Sequence, residues 1–214
     1  NLVTARTEAA AATLEVIGSP GSSLHTLDFD ASGQNLWGTA TVGGNEVTGR
    51  LNLKTGAFLE RAALAVTPAF DDVTADPDGA TWWAGFMTLA TTFPAFGRVS
   101  SIAVDRDGAL FGYDETRGEI VRLDPATTQI TVVGPIGVTG AALTSLDFDW
   151  ATGELWTVLT SAAGAPRLSR IDTISGAATL VESLPVSSQG LRIAIQRSTK
   201  RIDVRTFCAP AEVN

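Results

Sequence analysis

The chain has 214 residues, of which 44% are hydrophobic and 18% charged, and its formal net charge is −8. An acidic balance argues against nucleic acid, whose phosphates attract Lys and Arg, and against anionic membrane surfaces. No apolar run is long enough to span a bilayer, and one domain accommodates a chain of this length.

Residues 2–17, LVTARTEAAAATLEVI, align without a gap onto 168–183, LSRIDTISGAATLVES. That register predicts two strands at the start of the chain. The alternative is a short helix over the Ala-rich residues 5–13, since Ala is the best helix former. A loop, Gly18-Ser19-Pro20-Gly21, follows.

The next segment, LDFDASGQNLWGTA from Leu27, opens a pattern that recurs. Its equivalents are VTADPDGATWWAGF from Val73, IAVDRDGALFGYD from Ile102, LDFDWATGELWTVL from Leu146 and IAIQRSTKRIDVRT from Ile193, at spacings of 46, 29, 44 and 47 residues. Each reads as two short strands around a turn. Four carry an aromatic in the second strand (Trp37, Trp83, Phe111, Trp156), and Asp203 stands there in the fifth. A second hairpin follows three of them, at Thr48–Arg61, Gly118–Val133 and Arg167–Val181. In the unit over 143–184 the predicted strands are Leu146–Asp149, Glu154–Leu159, Arg167–Ile171 and Ala177–Ser183. They are rich in Leu, Val, Ile, Trp and Thr, as strands are. Two of the turns, Asp149–Gly153 and Asp172–Gly176, start with Asp and end with Gly, because Asp bonds back to the turn backbone and Gly accepts positive φ.

A four-stranded antiparallel meander of about 40 residues has the size of one propeller blade, and one blade cannot bury both its faces alone. The expected fold is therefore an all-β, five-bladed β-propeller over residues 1–207, with a tail over 208–214. The blade from Val73 is degenerate, since its 29-residue period has lost at least one strand. The blade from Ile193 runs out at the C-terminus, so the N-terminal strands are expected to complete it and close the ring, removing an open sheet edge.

The chemistry-bearing residues carry little signal. His25 is the only histidine, and there is no Gly-x-Ser-x-Gly elbow. A Ser-His-Asp set built on His25 with Asp28 or Asp30 would be accidental, and a zinc site of His25 and Cys208 would lack two ligands. Asp76–Gly79 and Asp105–Gly108 look like calcium loops but lack the downstream bidentate Glu, so both are expected to be plain turns without metal. The first-strand acids Asp28 and Asp147 are expected to bond neighbouring strands or backbone. No catalytic residue and no cofactor is assigned. The candidate binding residues are aromatic: Trp82, Trp83, Phe86, Phe93 and Phe96 around the degenerate blade, and Trp150, expected as an exposed ring in its turn. Residues 80–98 also hold the only Met, and Met with aromatics suits an adaptable contact surface.

The patterns at Leu146–Trp156 and Leu168–Thr179 resemble the repeats of secreted bacterial propellers of the NHL-like and related superfamilies. The tail, Cys208 to Asn214, resembles the lead-in to a dockerin-type calcium repeat. The resemblance implies the architecture, and the expected function is that of a secreted, non-catalytic binding or scaffold protein, with a protein partner or self-association. The alternative it leaves open is a carbohydrate-active protein, either a lectin or a five-bladed glycoside hydrolase. Two lysines in the whole chain and a lone Cys208 fit a secreted setting. Because the chain opens at Asn1, processing is also expected.

Overall fold

The computed structural model describes residues 2–8, 11–63, 72–75, 82–85, 99–124, 126–127, 129–161, 164–184, 191–195 and 203–207. The described residues contain strands and turns and no helix. In order they are β1 (Leu2–Glu8), β2 (Ala11–Gly18), β3 (Ser23–Phe29), β4 (Leu36–Val42), β5 (Asn45–Leu51), β6 (Phe58–Ala63), β7 (Asp72–Ala75) and β8 (Trp82–Gly85). After these come β9 (Val99–Val104), β10 (Leu110–Asp114), β11 (Glu119–Asp124), β12 (Gln129–Pro135), β13 (Ala141–Asp149), β14 (Glu154–Ser161), β15 (Gly164–Ile171), β16 (Ala178–Ser183), β17 (Ile193–Ile195) and β18 (Asp203–Phe207).

These strands form antiparallel sheets in the orders β3-β4-β5-β6, β9-β10-β11-β12, β13-β14-β15-β16 and β17-β18-β1-β2, with β7 and β8 paired separately. The N-terminal stretch is thus strand, not helix. β1 pairs with β18, Leu2 opposite Phe207 and Arg6 opposite Asp203, so the first and last described strands share a sheet. The first strand of each sheet lies on the inside. There β3 packs beside β7 and β17, β9 beside β7 and β13, and β13 beside β17.

The core sits between sheets. Phe111 and Tyr113 of β10 pack with Leu146 and Phe148 of β13, and the Phe111 and Phe148 rings meet edge-on at 5.3 Å. The opposite face of the β9–β12 sheet buries Val99, Ile102, Val104, Val121 and Leu123. A sheet covered on both faces reads as nearly continuous apolar strand, and β9, VSSIAV, is buried at every residue. The two sheets also meet at their rims. The Ala178 amide donates to the Ile136 carbonyl at 3.0 Å. Beside it a side chain on Gly176 (φ +78°) would overlap the Gly134 carbonyl, so both strain and space require Gly there.

The turns behave as their composition predicts. Asn52, Asp105, Asp124 and Asp172 each accept amides two to four residues ahead through one side-chain oxygen. In Asp105–Gly108 the Asp105 carboxylate takes the Asp107 and Ala109 amides at 2.9 and 2.8 Å, which is turn chemistry. Asp76–Gly79 lies outside the described residues. Each outer strand holds one extra residue at the matching place: Ile17, Arg61, Val133 and Val181. A bulge there bends the strand, which discourages edge-to-edge pairing.

Two predictions follow from this arrangement. Deleting residues 1–17 removes β1 and β2 and bares the long edge of β18. The melting temperature should fall sharply or the chain aggregate, and a deletion that melts like the parent would count against the shared sheet. The second concerns acid. The side-chain and amide donors of Thr127 hold the Asp124 carboxyl below its ordinary range, and the Ser175 and Ile174 amides do the same for Asp172. Burial pushes Asp30 up, but bonds from Ser32, Asn35 and Gln34 outweigh it and leave it lowered. A lowered folded pKa means that the unfolded chain binds the extra proton, so stability rises with pH. Their contribution is complete above the unfolded value of about 3.9 and is lost as pH falls through the lower folded values. Urea midpoints should therefore drop below about pH 4, and Asp172→Asn, which keeps an acceptor for the turn, should flatten that drop. An unchanged acid profile would refute the assignment.

Candidate functional site

The inner strands present the problem that organises the centre. Each is hydrogen-bonded in a sheet along one edge only, and its other edge is buried against neighbouring inner strands. A buried amide without a partner is costly. The matching positions on the five inner strands are Asp28, Thr74, Ala103, Asp147 and Ala194, and all are buried. The Asp147 carboxylate accepts its neighbour's amide, Phe148 N, at 2.8 Å and reaches across to Ile195 N on β17 at 2.5 Å. Two residues earlier the Ser145 hydroxyl donates to the Ile193 carbonyl at 3.4 Å. Asp147 therefore bonds backbone and a neighbouring strand, as its sequence position suggested.

Toward one end the inner strands carry bulges at equivalent places: His25 in β3, Ser100 in β9 and the Thr144-Ser145 pair in β13. A bulge re-aims a side chain and frees a backbone carbonyl. The freed His25 carbonyl is taken by Arg192 Nε at 2.7 Å, while Arg192 Nη1 donates to the Leu191 carbonyl at 3.0 Å. The His25 ring lies against β4 and β5. Its Nε2 is 2.7 Å from Thr41 Oγ1, which donates its proton to Glu46 Oε1 at 2.7 Å. Thr41 has one proton and gives it to Glu46, so His25 Nε2 must carry the hydrogen. In that state Nε2 has no lone pair with which to activate a hydroxyl. Glu46 Oε2, Thr74 Oγ1 and Ser100 Oγ are buried without a hydrogen-bond partner. The partners of the His25 ring are thus Thr41 and Glu46, and the Asp30 carboxylate is spent on its own turn. Cys208 lies outside the described residues.

The aromatic candidates divide. Trp82 and Trp83 lie on β8, opposite Ala75 and Thr74 of β7. Phe86, Phe93 and Phe96 lie outside the described residues. Trp150 corrects the expectation of an exposed ring. It is half-buried against the core between the β9–β12 and β13–β16 sheets, and its Nε1 donates to the Val104 carbonyl at 2.8 Å. Its turn is pinned by Asp149, which accepts from Ala151 N and Thr152 Oγ1, and that holds the indole across the sheet boundary.

An arginine series went unanticipated. Trp37 stands opposite Arg50, Phe111 opposite Arg122 and Trp156 opposite Arg170. The Arg170 guanidinium lies 6.0 Å from the centre of the Trp156 ring, within cation–π range. Where Asp203 replaces the aromatic, it too faces an arginine, Arg6. The signal was present in the sequence as Arg50-Leu51-Asn52, Arg122-Leu123-Asp124 and Arg170-Ile171-Asp172, a basic residue two places before each turn acid or amide.

Removing the Asp147 carboxylate tests the axial stitch. Asp147→Ala leaves buried amides unpaired and should cost about 1–3 kcal/mol in urea unfolding, with Asp147→Asn costing less. An alanine variant as stable as the parent would show that the contact with Ile195 contributes nothing.

Comparison with solved structures identifies the architecture. TolB from Acinetobacter baumannii superposes with a TM-score of 0.53 at 9% identity, over 95% of this chain and 63% of its own. A putative TolB from Agrobacterium tumefaciens gives 0.51 at 12% identity, over 84% and 69%. A luciferin-regenerating enzyme gives 0.50 at 12% identity, over 88% and 92%. The chain spans less than two thirds of the Acinetobacter protein's length. No protein-family model and no curated protein matches the chain. At these identities the likeness speaks for fold alone, and it agrees with the sheets described above: the chain is an all-β protein of the β-propeller kind.

Proposed function

We propose that this chain is a secreted, non-catalytic binding propeller that mediates protein–protein contact or self-association. The proposal includes five blades, the β7–β8 pair being the degenerate one, and a ring closed where β1 joins β18. Support for the ring is the cyclic order of inner strands, in which β17 returns to lie beside β3.

The observation that carries the functional reading is where large apolar side chains reach solvent. Among the described residues, Leu59 on β6, Val132 on β12, and Leu180 and Val181 on β16 are 42–51% exposed and sit on outer strands, while Ile174, 89% exposed, sits in a turn. Exposed apolar groups gathered on one kind of element suit a contact surface. The bulge in each outer strand disfavours pairing along its edge, so contact there would run through side chains. The degenerate blade supplies a second part of the surface. Its sheet has two strands among the described residues, and on the sequence argument the lost strand leaves an edge for strand addition. Trp82 and Trp83, with Phe86, Phe93 and Phe96, belong to this part on the sequence argument. Among the described residues, the His25 ring is engaged with Thr41 and Glu46, and the Asp147 carboxylate with backbone.

Sedimentation of the purified chain over a wide concentration range tests the reading. The average mass should rise above the 22.3 kDa of one chain. Replacing Leu180 and Val132 by Ser should abolish the rise while leaving the melting temperature within the small range typical of surface changes. A parent that stays monomeric at every concentration would overturn self-association. A Ser variant that associates as the parent does would remove the outer strands from the surface.

A further inference from the structure

The β13–β16 sheet carries a cleft of about 380 Å³ at the end where its two Asp-led turns lie, lined by Glu154, Arg170, Thr173, Ile174 and Thr179 above Ile171. Its origin is visible by comparison with the β3–β6 sheet, whose hairpin 50–59 aligns residue for residue with 170–179. There the corresponding positions hold Leu53, Phe58 and Leu59. Leu53 and Phe58 pack on the core, and Leu59 stands opposite Arg50. In the β13–β16 sheet the same three positions hold Thr173, Ala178 and Thr179, with Thr179 opposite Arg170. Three bulky apolar groups have become two hydroxyls and a methyl, while the turn around them is unchanged: Asp172 accepts the Ile174 and Ser175 amides as Asn52 accepts those of Lys54 and Thr55. The space is a local substitution on a preserved frame.

The charges differ in the same way. Arg50 donates to the neutral amide of Asn35 at 2.7 Å and is half-buried. Arg170 instead pairs with the Glu154 carboxylate at 2.6 Å, and both side chains remain accessible, 48% and 33% exposed. The pair is internally neutral, and Asp172, which also lines the cleft, spends one carboxylate oxygen on the Ile174 and Ser175 amides. The cleft still presents unused carboxylate lone pairs, unused guanidinium N–H groups and two hydroxyls. One wall is apolar and turned fully outward: Ile174 is 89% exposed. The arginine is held in place from below by the Trp156 ring.

We propose that this cleft is a binding site for a neutral sugar unit of a glycan. A hexose offers adjacent hydroxyls that both donate and accept, which matches a carboxylate beside a guanidinium and two threonines. It also offers a C–H face for Ile174. The cleft lies at the small end of ligand pockets, which span about 300–1,000 Å³, in keeping with a short saccharide. The site uses none of the outer-strand residues assigned to protein contact, so either reading can fail without the other.

The test begins with a printed array of neutral hexose oligosaccharides probed with the intact chain. The strongest binder is then titrated while backbone amide resonances are followed. Shifts are expected at Gly153, Glu154, Thr173 and Thr179. The variant Thr173→Leu with Thr179→Leu restores two of the three apolar side chains of the β3–β6 hairpin and should lose binding with an unchanged melting temperature. Glu154→Gln, which keeps the shape and breaks the ion pair, should weaken binding without unfolding the chain. Binding to no neutral saccharide, preference for charged saccharides only, shifts confined to another face, or equal binding by the filled variant would each overturn the proposal.

Discussion

The β9–β12 sheet buries an apolar cluster on each of its faces, and it cannot do so alone. Phe111 and Phe148 come from different sheets, as do Trp156 and Ile193, and each pair shares one buried cluster. Burial of apolar surface is the dominant favourable contribution to folding, so the unit of stability is the boundary between neighbouring sheets. This explains why the sequence repeats. A unit that packs on a copy of itself at each face must keep the same apolar residues in the same register.

Packing the first strands of the sheets side by side creates a second obligation. The inner strands end up with one edge buried and unpaired by any sheet, and a side chain from the neighbouring unit has to meet it. Asp147 does this for Ile195, Ser145 for Ile193, and Arg192 for the carbonyl released by the His25 bulge. Polar residues that look like candidate chemistry in the sequence are thus largely absorbed by backbone that the architecture would otherwise leave bare. The His25 ring is engaged differently, by the side chains of Thr41 and Glu46.

Specific chemistry then has room where units differ from one another. The Arg–aromatic pairs hold across three sheets, yet the residue facing the arginine on the far side is Leu59 in one and Thr131 and Thr179 in the other two. Such a change leaves the frame intact and alters only what a ligand would meet. The fold does not choose among functions, since TolB proteins and a luciferin-regenerating enzyme share the general architecture with this chain.

The sequence by itself determined the repeated strands, the Asp-to-Gly turns and the pairing of the two chain ends. These rest on local chemistry: alternation along a strand, side-chain capping of a turn, and a gapless match between 2–17 and 168–183. It placed Asp147 correctly in kind, because an acid on a buried strand must find donors. Tertiary structure alone decided the rest. Trp150 looked exposed because a turn is normally at the surface, but a neighbouring sheet lies against that turn and offers the Val104 carbonyl. The bulge at His25, its bonds to Thr41 and Glu46, and the cleft beside Arg170 depend on how strands far apart in sequence are set side by side. No spacing within a single strand records that distance, so those features appear only when the sheets are assembled.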